Sequence, residues 1–271
     1  MAGGSSDHTV GLRADGAATG TQYPDAVAGS VPIAPARRLS IRRVVRTFGH
    51  LLLVLGVLLL VWSFVIWKWS DPFTALYTHY EQGKLAHQYV KRERKVVASL
   101  PKIAPTVPVA AEEHAVAREA AKYRAASTTG EAIGRIVVPR LGLNMILVNG
   151  TDESSLMRGP GRDTRTYMPG QGQLVYVAGH RTTYLAPFSH IDSMRTGDLI
   201  TVRVPYGSFV YRVYAHVIVP ATDVSRLLSH GREVIALQAC HPRFFATHRY
   251  IVYGKLVHVI PARGKPYNPT A

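Results

Sequence analysis

The chain has 271 residues, 47% of them hydrophobic and 18% charged, which is enough apolar material for a buried core and too little for a multi-span membrane protein. Its one cysteine, Cys240, excludes an internal disulfide, a CxxC redox pair and any zinc site that needs two thiolates. The net charge of +15 is spread along the chain and not gathered in one arm. This favours anionic surroundings such as headgroups or a cell envelope, and no nucleic-acid partner is expected.

Residues 1–36 are rich in Gly, Ala, Ser and Pro and predict a disordered cytoplasmic tail. Arg37, Arg38, Arg42, Arg43 and Arg46 follow, and then LLLVLGVLLLVWSFVIW from Leu51 to Trp67, with no formal charge. With Phe48 to His50 this run approaches the roughly 20 residues of a spanning helix, and it lacks the polar face of a core helix. Residues 37–69 are therefore read as a basic flank and a single transmembrane signal anchor. The run is longer than a signal-peptide core and is followed by WKWSDPF, with no small-x-small cleavage site. Arginines before the span, against Lys68 alone just after it, predict a cytoplasmic N-terminus and an extracellular remainder. Trp62, Trp67 and Trp69 suit an aromatic belt at the outer half.

Residues 70–130 predict an extracellular juxtamembrane helix over Pro72 to Leu100, a break at Pro101, Pro105 and Pro108, and a second helix over Glu112 to Ala126. Together they read as a helical stalk. The run KRERK at 91–95 fits either contact with anionic headgroups or a plain solvated face.

From residue 131 the pattern changes to β-branched and aromatic runs: RIVVP, MILV, LVYVAGH, LITVRV, FVYRVYAHVIV, VIALQAC and YIVYGKLVHVI. Seven or eight strands are expected over 131–262, with short helical pieces near Glu153 to Met157 and Pro187 to Ser193, a hairpin turn at YGS 206–208 and a C-terminal tail at 263–271. The fold class is all-β, a barrel or sandwich. Nucleotide-binding glycine loops, HExxH and EF-hand patterns are missing from it.

Cys240 ends an apolar strand and opens the loop CHPRFFATHR, which carries His241, Arg243, His248 and Arg249. Positive neighbours favour a thiolate, so the context suits a nucleophile; a buried structural cysteine fits it equally well. His180 ends the strand LVYVAG and is followed by Arg181, a placement open to general acid–base work. Arg249 heads the next strand, and its fixed donors suit an oxyanion or a peptide carbonyl.

The order AGHR, a strand ending in Cys sixty residues later, and Arg nine residues further on at the head of RYIVYGKL resembles the sortases. AGHRTTYLAPFSHID, MRTGDLITV and CHPRFFATHRYIV are most similar to actinobacterial class E sortases, over about Gly134 to Ile260. The resemblance implies a sortase-like seven- or eight-stranded barrel. Cys240 would be the nucleophile towards the Thr-Gly bond of an LPxTG- or LAxTG-like sorting signal on a surface protein. His180 would be the acid and base, and Arg249 the oxyanion and substrate clamp. A peptidoglycan-precursor amine would be the acceptor, and Tyr184, Arg181 and His241 candidate substrate contacts, with packing an equal alternative for Tyr184. No cofactor is expected; some sortases use calcium at an acidic cluster, but Asp and Glu are sparse after residue 131, so no metal is expected either, and the membrane lipid is met through the N-terminal helix.

Two departures from the family pattern stand out. Ala239 occupies the place of a usual Thr, which would remove a hydroxyl from the catalytic edge, and Leu185 follows Tyr184 where Gly is common. The order His, Cys, Arg argues against papain-like and NlpC-type enzymes, and the Cys context against L,D-transpeptidases. The alternative function is a membrane-tethered β-domain that binds envelope components, with Cys240 as core filler.

Overall fold

The computed structural model describes residues 40–69, 72–101 and 107–269. The tail expected over 1–36 lies outside them. Two compact units are distinguished, one up to Leu53 and one from Val54 onward. Helix α1 (Ile41–Trp69) contains a 25-residue candidate span, Ile41–Val65, long and apolar enough to cross a membrane and with none of its most apolar window buried. Large apolar side chains such as Leu53, Leu59 and Phe64 are exposed all round it, which in water would be strongly unfavourable and in lipid is the expected state. The aromatic belt expected at Trp67 and Trp69 falls on side chains outside the described set.

Helices α2 (Pro72–Ser99) and α3 (Val109–Ala125) are the two expected helices of the stalk segment, and both lie packed on the barrel. On α2, Thr78, Leu85 and Tyr89 are buried at the spacing of one helical face, and Leu85 and Tyr89 pack with Ile146 and Val148. On α3 the buried stripe is Val116, Ala120 and Tyr123, which joins the main core, and Tyr123 donates its hydroxyl to the Ile133 carbonyl at 3.0 Å. Within the KRERK run, Arg92 pairs with Glu131, donates to Ser127 at 2.8 Å and lies 4.6 Å over the Tyr123 ring. That arginine ties α2 to α3 and to the first strand of the barrel.

Eight strands follow: β1 (Ala132–Val138), β2 (Leu143–Asn149), β3 (Gly161–Arg162), β4 (Leu174–Ala178), β5 (Leu199–Val204), β6 (Gly207–Pro220), β7 (Val234–His241) and β8 (His248–Pro261). They close in the order β1-β2-β3-β4-β7-β8-β6-β5, with β5 paired back onto β1. Closure leaves no free sheet edge. The pairs β2/β3 and β4/β7 are parallel and the others antiparallel. The expectation of seven or eight strands in a closed barrel is met with eight.

Alternation along the strands decides what lies inside. Val175 and Val177 of β4 and Ile235, Leu237 and Ala239 of β7 belong to the main core, whereas Leu174, Tyr176 and Ala236 pack in a separate cluster on the other face. A short helix α4 (Glu153–Leu156) lies where one was expected, capped by the Asp152 side chain, which accepts from the Ser155 N–H at 3.0 Å. A single 3-10 turn at Ile191–Ser193 is all that forms in the second expected helical piece. The β5–β6 turn is made by residues 205 and 206, earlier than the YGS reading, with Gly207 and Ser208 already in β6. Tyr206 is buried there, its hydroxyl donating to the Pro169 carbonyl at 2.8 Å, so the core draws the turn back by a residue.

Candidate active site

Three adjacent strands, β4, β7 and β8, carry the candidate residues. The parallel β4/β7 pair runs in step from Leu174 opposite Val234 to Ala178 opposite Gln238, and the Gly179 N–H donates to the Gln238 carbonyl at 3.0 Å. His180 and Cys240 each follow the last paired residue of their strand, Ala178 and Gln238, by two positions, so both stand at or just past the same end of the parallel pair. In the antiparallel β7/β8 pair, Cys240 is the direct partner of Arg249. Directly opposed residues share a face, so thiol and guanidinium project from the same side with the sulfur on the central strand. Ile235, Leu237 and Ala239 point into the core, and Cys240 therefore points out of it, half-buried.

The same alternation corrects one expectation. Ala239 is fully buried in the main core, so the hydroxyl that it lacks would have faced the barrel interior and not the catalytic edge. Its small size is a matter of packing.

The loop after β4 is built to hold His180. Gly179 precedes it, and a Cβ there would lie 2.7 Å from the Phe188 ring, so only glycine lets that buried ring close against the strand end. The Phe188 N–H donates back to the His180 carbonyl at 3.1 Å. The imidazole lies 5.0 Å from the Tyr184 ring, and among the described residues its Nε2 is one of two buried side-chain atoms without a hydrogen bond. Burial lowers the pKa of His180 below the ordinary histidine value, with Glu153 of α4 pulling the other way. A half-enclosed imidazole with an uncommitted ring nitrogen suits proton transfer.

Arg181 is buried and ion-paired with Asp192, and it approaches His241 Nδ1 at 3.0 Å and the Cys240 carbonyl at 3.4 Å. It ties the His180 loop to the nucleophile strand from inside. Arg243 makes a second tie, donating to the Ser189 carbonyl and approaching His190 Nδ1 at 3.2 Å. Arg249 is anchored through Nη1, which donates to the carbonyls of Ala246 at 2.8 Å and His248 at 3.1 Å. His241 lies half-buried with its ring 5.9 Å from that of Tyr250.

Residues 136–257 match the family model of the Sortase domain. This chain carries a sortase domain. The sortase family is one of cysteine transpeptidases, and His180, Cys240 and Arg249 all fall inside the matched segment. Over 133 residues the chain is 32% identical to Sortase D of Bacillus subtilis (strain 168), across 48% of this chain and 66% of that protein. It is 35% identical over 101 residues to Sortase SrtE1 of Streptomyces coelicolor, across 33% of this chain and 28% of that one. The likeness is thus to part of each relative. Among solved structures, a Clostridium perfringens Sortase D5 transpeptidase superposes with a TM-score of 0.47 at 25% identity, covering 52% of this chain and 88% of that one. Sortase E1 from Streptomyces coelicolor, with a tripeptide in the active site, gives 0.46 at 27% identity, covering 50% and 94%.

Sequence reasoning singled out the strand-end residues of the sortase domain and overlooked Asp192, the partner that keeps the buried Arg181 neutralised. It also gave α2 no part in the site, yet its first turns reach the His180 loop: the Tyr184 N–H donates to Thr74 Oγ1 at 2.9 Å. These residues are 110 positions apart, and no local pattern connects them.

Proposed function

We propose that this chain is a membrane-anchored cysteine transpeptidase. It cleaves an LPxTG- or LAxTG-like sorting signal between Thr and Gly and transfers the new carboxyl end to an amine of a cell-wall precursor. The observation that supports the reading is the register of β4, β7 and β8, in which Arg249 is the direct partner of Cys240 and His180 follows the end of the β4 strand paired with β7.

The Cys240 sulfur attacks the Thr carbonyl carbon, and Arg249 stabilises the oxyanion that develops. As the intermediate collapses the Thr–Gly C–N bond breaks, His180 gives its proton to the leaving amine, and a thioacyl enzyme remains. The proton that His180 gives up is the one it took from the Cys240 thiol before attack. An incoming amine then attacks the thioester, its proton passes to His180, the Cys240 thiolate is released, and His180 returns the proton to it. The lowered pKa of His180 makes its imidazolium a ready proton donor. Tyr184, beside the imidazole, contacts the signal. Arg181, buried and spent on Asp192, His241 and the Cys240 carbonyl, serves to join the two loops, and His241 is held by it. The AGHRTTYLAPFSHID string and the likeness to SrtE1 support a class E assignment and, with it, a preference for LAxTG-type signals. Helix α1 supplies the anchor, and the arginine excess before it sets the catalytic domain outside the cell, facing the wall.

Full-length protein in detergent micelles, given LAxTG and LPxTG peptides and an amine acceptor, is expected to form the amide product, faster with LAxTG. Cys240→Ala should form none. Equal product from the mutant and the parent would remove the enzyme reading; no product from either, with a slow-reacting thiol, would favour an envelope-binding β-domain.

A further inference from the structure

The loop that carries Tyr184 has an unusual backbone. Tyr184, Leu185 and Ala186 have φ of 54°, 60° and 39°, three consecutive non-glycine residues in the left-handed region, which side chains normally avoid. Such a conformation persists only when its surroundings hold it. One support is local: the Ala186 N–H donates to the Thr183 carbonyl at 2.8 Å. Another comes from α2, outside the segment shared with the sortase family. There Thr74 Oγ1 accepts from the Tyr184 N–H, and the Tyr77 ring meets the Tyr184 ring edge-on, with centroids 6.4 Å apart. Tyr184 in turn lies against the His180 imidazole at 5.0 Å.

The start of α2 is itself held to the barrel, so it can act as a support. Thr78 donates to the Met157 carbonyl at 2.8 Å, Gln82 bonds both the N–H and the carbonyl of Ile146, and Glu81 pairs with Arg158 at 3.2 Å.

We infer that Thr74 and Tyr77 of the juxtamembrane helix are positioning residues of the active site, holding Tyr184 against His180 so that the imidazole stays enclosed. Neither touches the reacting atoms; they act through Tyr184. The inference rests on the assignment of His180 as the acid–base group, and its test is readable without substrate.

The test uses full-length protein in micelles and follows the titration of the His180 ring by NMR, identified by its loss in His180→Gln, beside kcat/KM for the sorting-signal peptide. Thr74→Val removes the acceptor and keeps the shape. It should lower kcat/KM about fivefold to tenfold, mainly through kcat, and move the His180 titration upward as water reaches the ring. Thr74→Ser should restore both, and Tyr77→Ala should act in the same direction. In a Tyr184→Ala background, Thr74→Val should cause no additional upward shift, since the link to the imidazole is already lost. Wild-type titration and kcat/KM in Thr74→Val and Tyr77→Ala would overturn the inference, as would a Thr74→Val effect undiminished in the Tyr184→Ala background. Should Tyr77→Ala lose its fold, the Thr74→Ser against Thr74→Val comparison still decides the matter. A chain without any transpeptidase activity would sink the proposed reaction while leaving the titration readout intact.

Discussion

At residue 185 a leucine adopts φ 60° between two other left-handed residues. Leu185→Gly relieves the steric cost and adds chain entropy to the unfolded state, two effects of similar size, so urea unfolding should place it within about 0.5 kcal/mol of the parent. Leu185→Val, β-branched in the same conformation, should lose about 1 kcal/mol or more. At His180 the folded-state pKa lies below the ordinary value of 6.5 because burial disfavours the charged ring. The unfolded chain therefore binds more protons than the folded one as pH falls below 6.5, and this group withdraws stability over that range. Thermal melts of His180→Gln should show a shallower acid-side decline than the parent. The candidate residues Cys240, His180 and Arg249 were legible because each sits at a strand end flagged by a change from apolar run to polar loop. Ala239 was misjudged because its side depends on counting alternation through a strand whose inner face only the core settles. Thr74 and Tyr77 carried no signal, since their significance lies in a contact across more than a hundred residues.

Among elements, α2 shows most clearly how a helix can substitute for a strand. Gln82 presents its amide to Ile146 of β2, accepting from the N–H at 2.7 Å and donating to the carbonyl at 3.1 Å, as a neighbouring strand would. Its Nε2 also reaches the Arg158 carbonyl at 2.7 Å, in space left open because residue 159 is glycine: a Cβ there would come within 2.4 Å of that nitrogen. Gln82→Ala leaves the backbone groups of a buried residue without partners and should cost about 2 kcal/mol in chemical denaturation. For α4, hydrogen bonds from Ser154 and Ser155 lower the Asp152 carboxyl to about 2 from 3.8. The stabilisation is full above 3.8 and is lost as pH falls towards about 2. Asp152→Ala should therefore cost about 1 kcal/mol near neutrality, with the gap to the parent closing in acid melts. The strands were readable from their β-branched alternation. The docking of α2 and α3 was not, because a polar residue such as Gln82 is indistinguishable in sequence from a solvated one.

For the molecule as a whole, helices α2 and α3 are part of the folded body. Leu85, Tyr89, Leu100, Val116, Ala120 and Tyr123, all before the first strand, are buried against the barrel. With burial worth roughly 1.5–3 kcal/mol for each large apolar side chain, a truncation beginning at residue 131 should lose several kcal/mol and be insoluble or unfold at markedly lower urea than one beginning at residue 72. The long apolar helix and the barrel were both visible in the sequence, because charge-free length and strand periodicity are local properties. The support that the helices give was not, since only closure of the barrel creates the surface they cover.

The in-step parallel pairing of β4 with β7 also bears on protein engineering. The loops at 181–190 and 242–247 lie beyond the last paired residues, yet Arg181, Phe188, Arg243 and Ala246 in them hold the strand ends. Libraries there should therefore vary exposed side chains such as Leu185 and Phe245 and keep the length fixed. Inserting one amino acid within either strand would instead rotate its end residue inward and silence the catalyst outright.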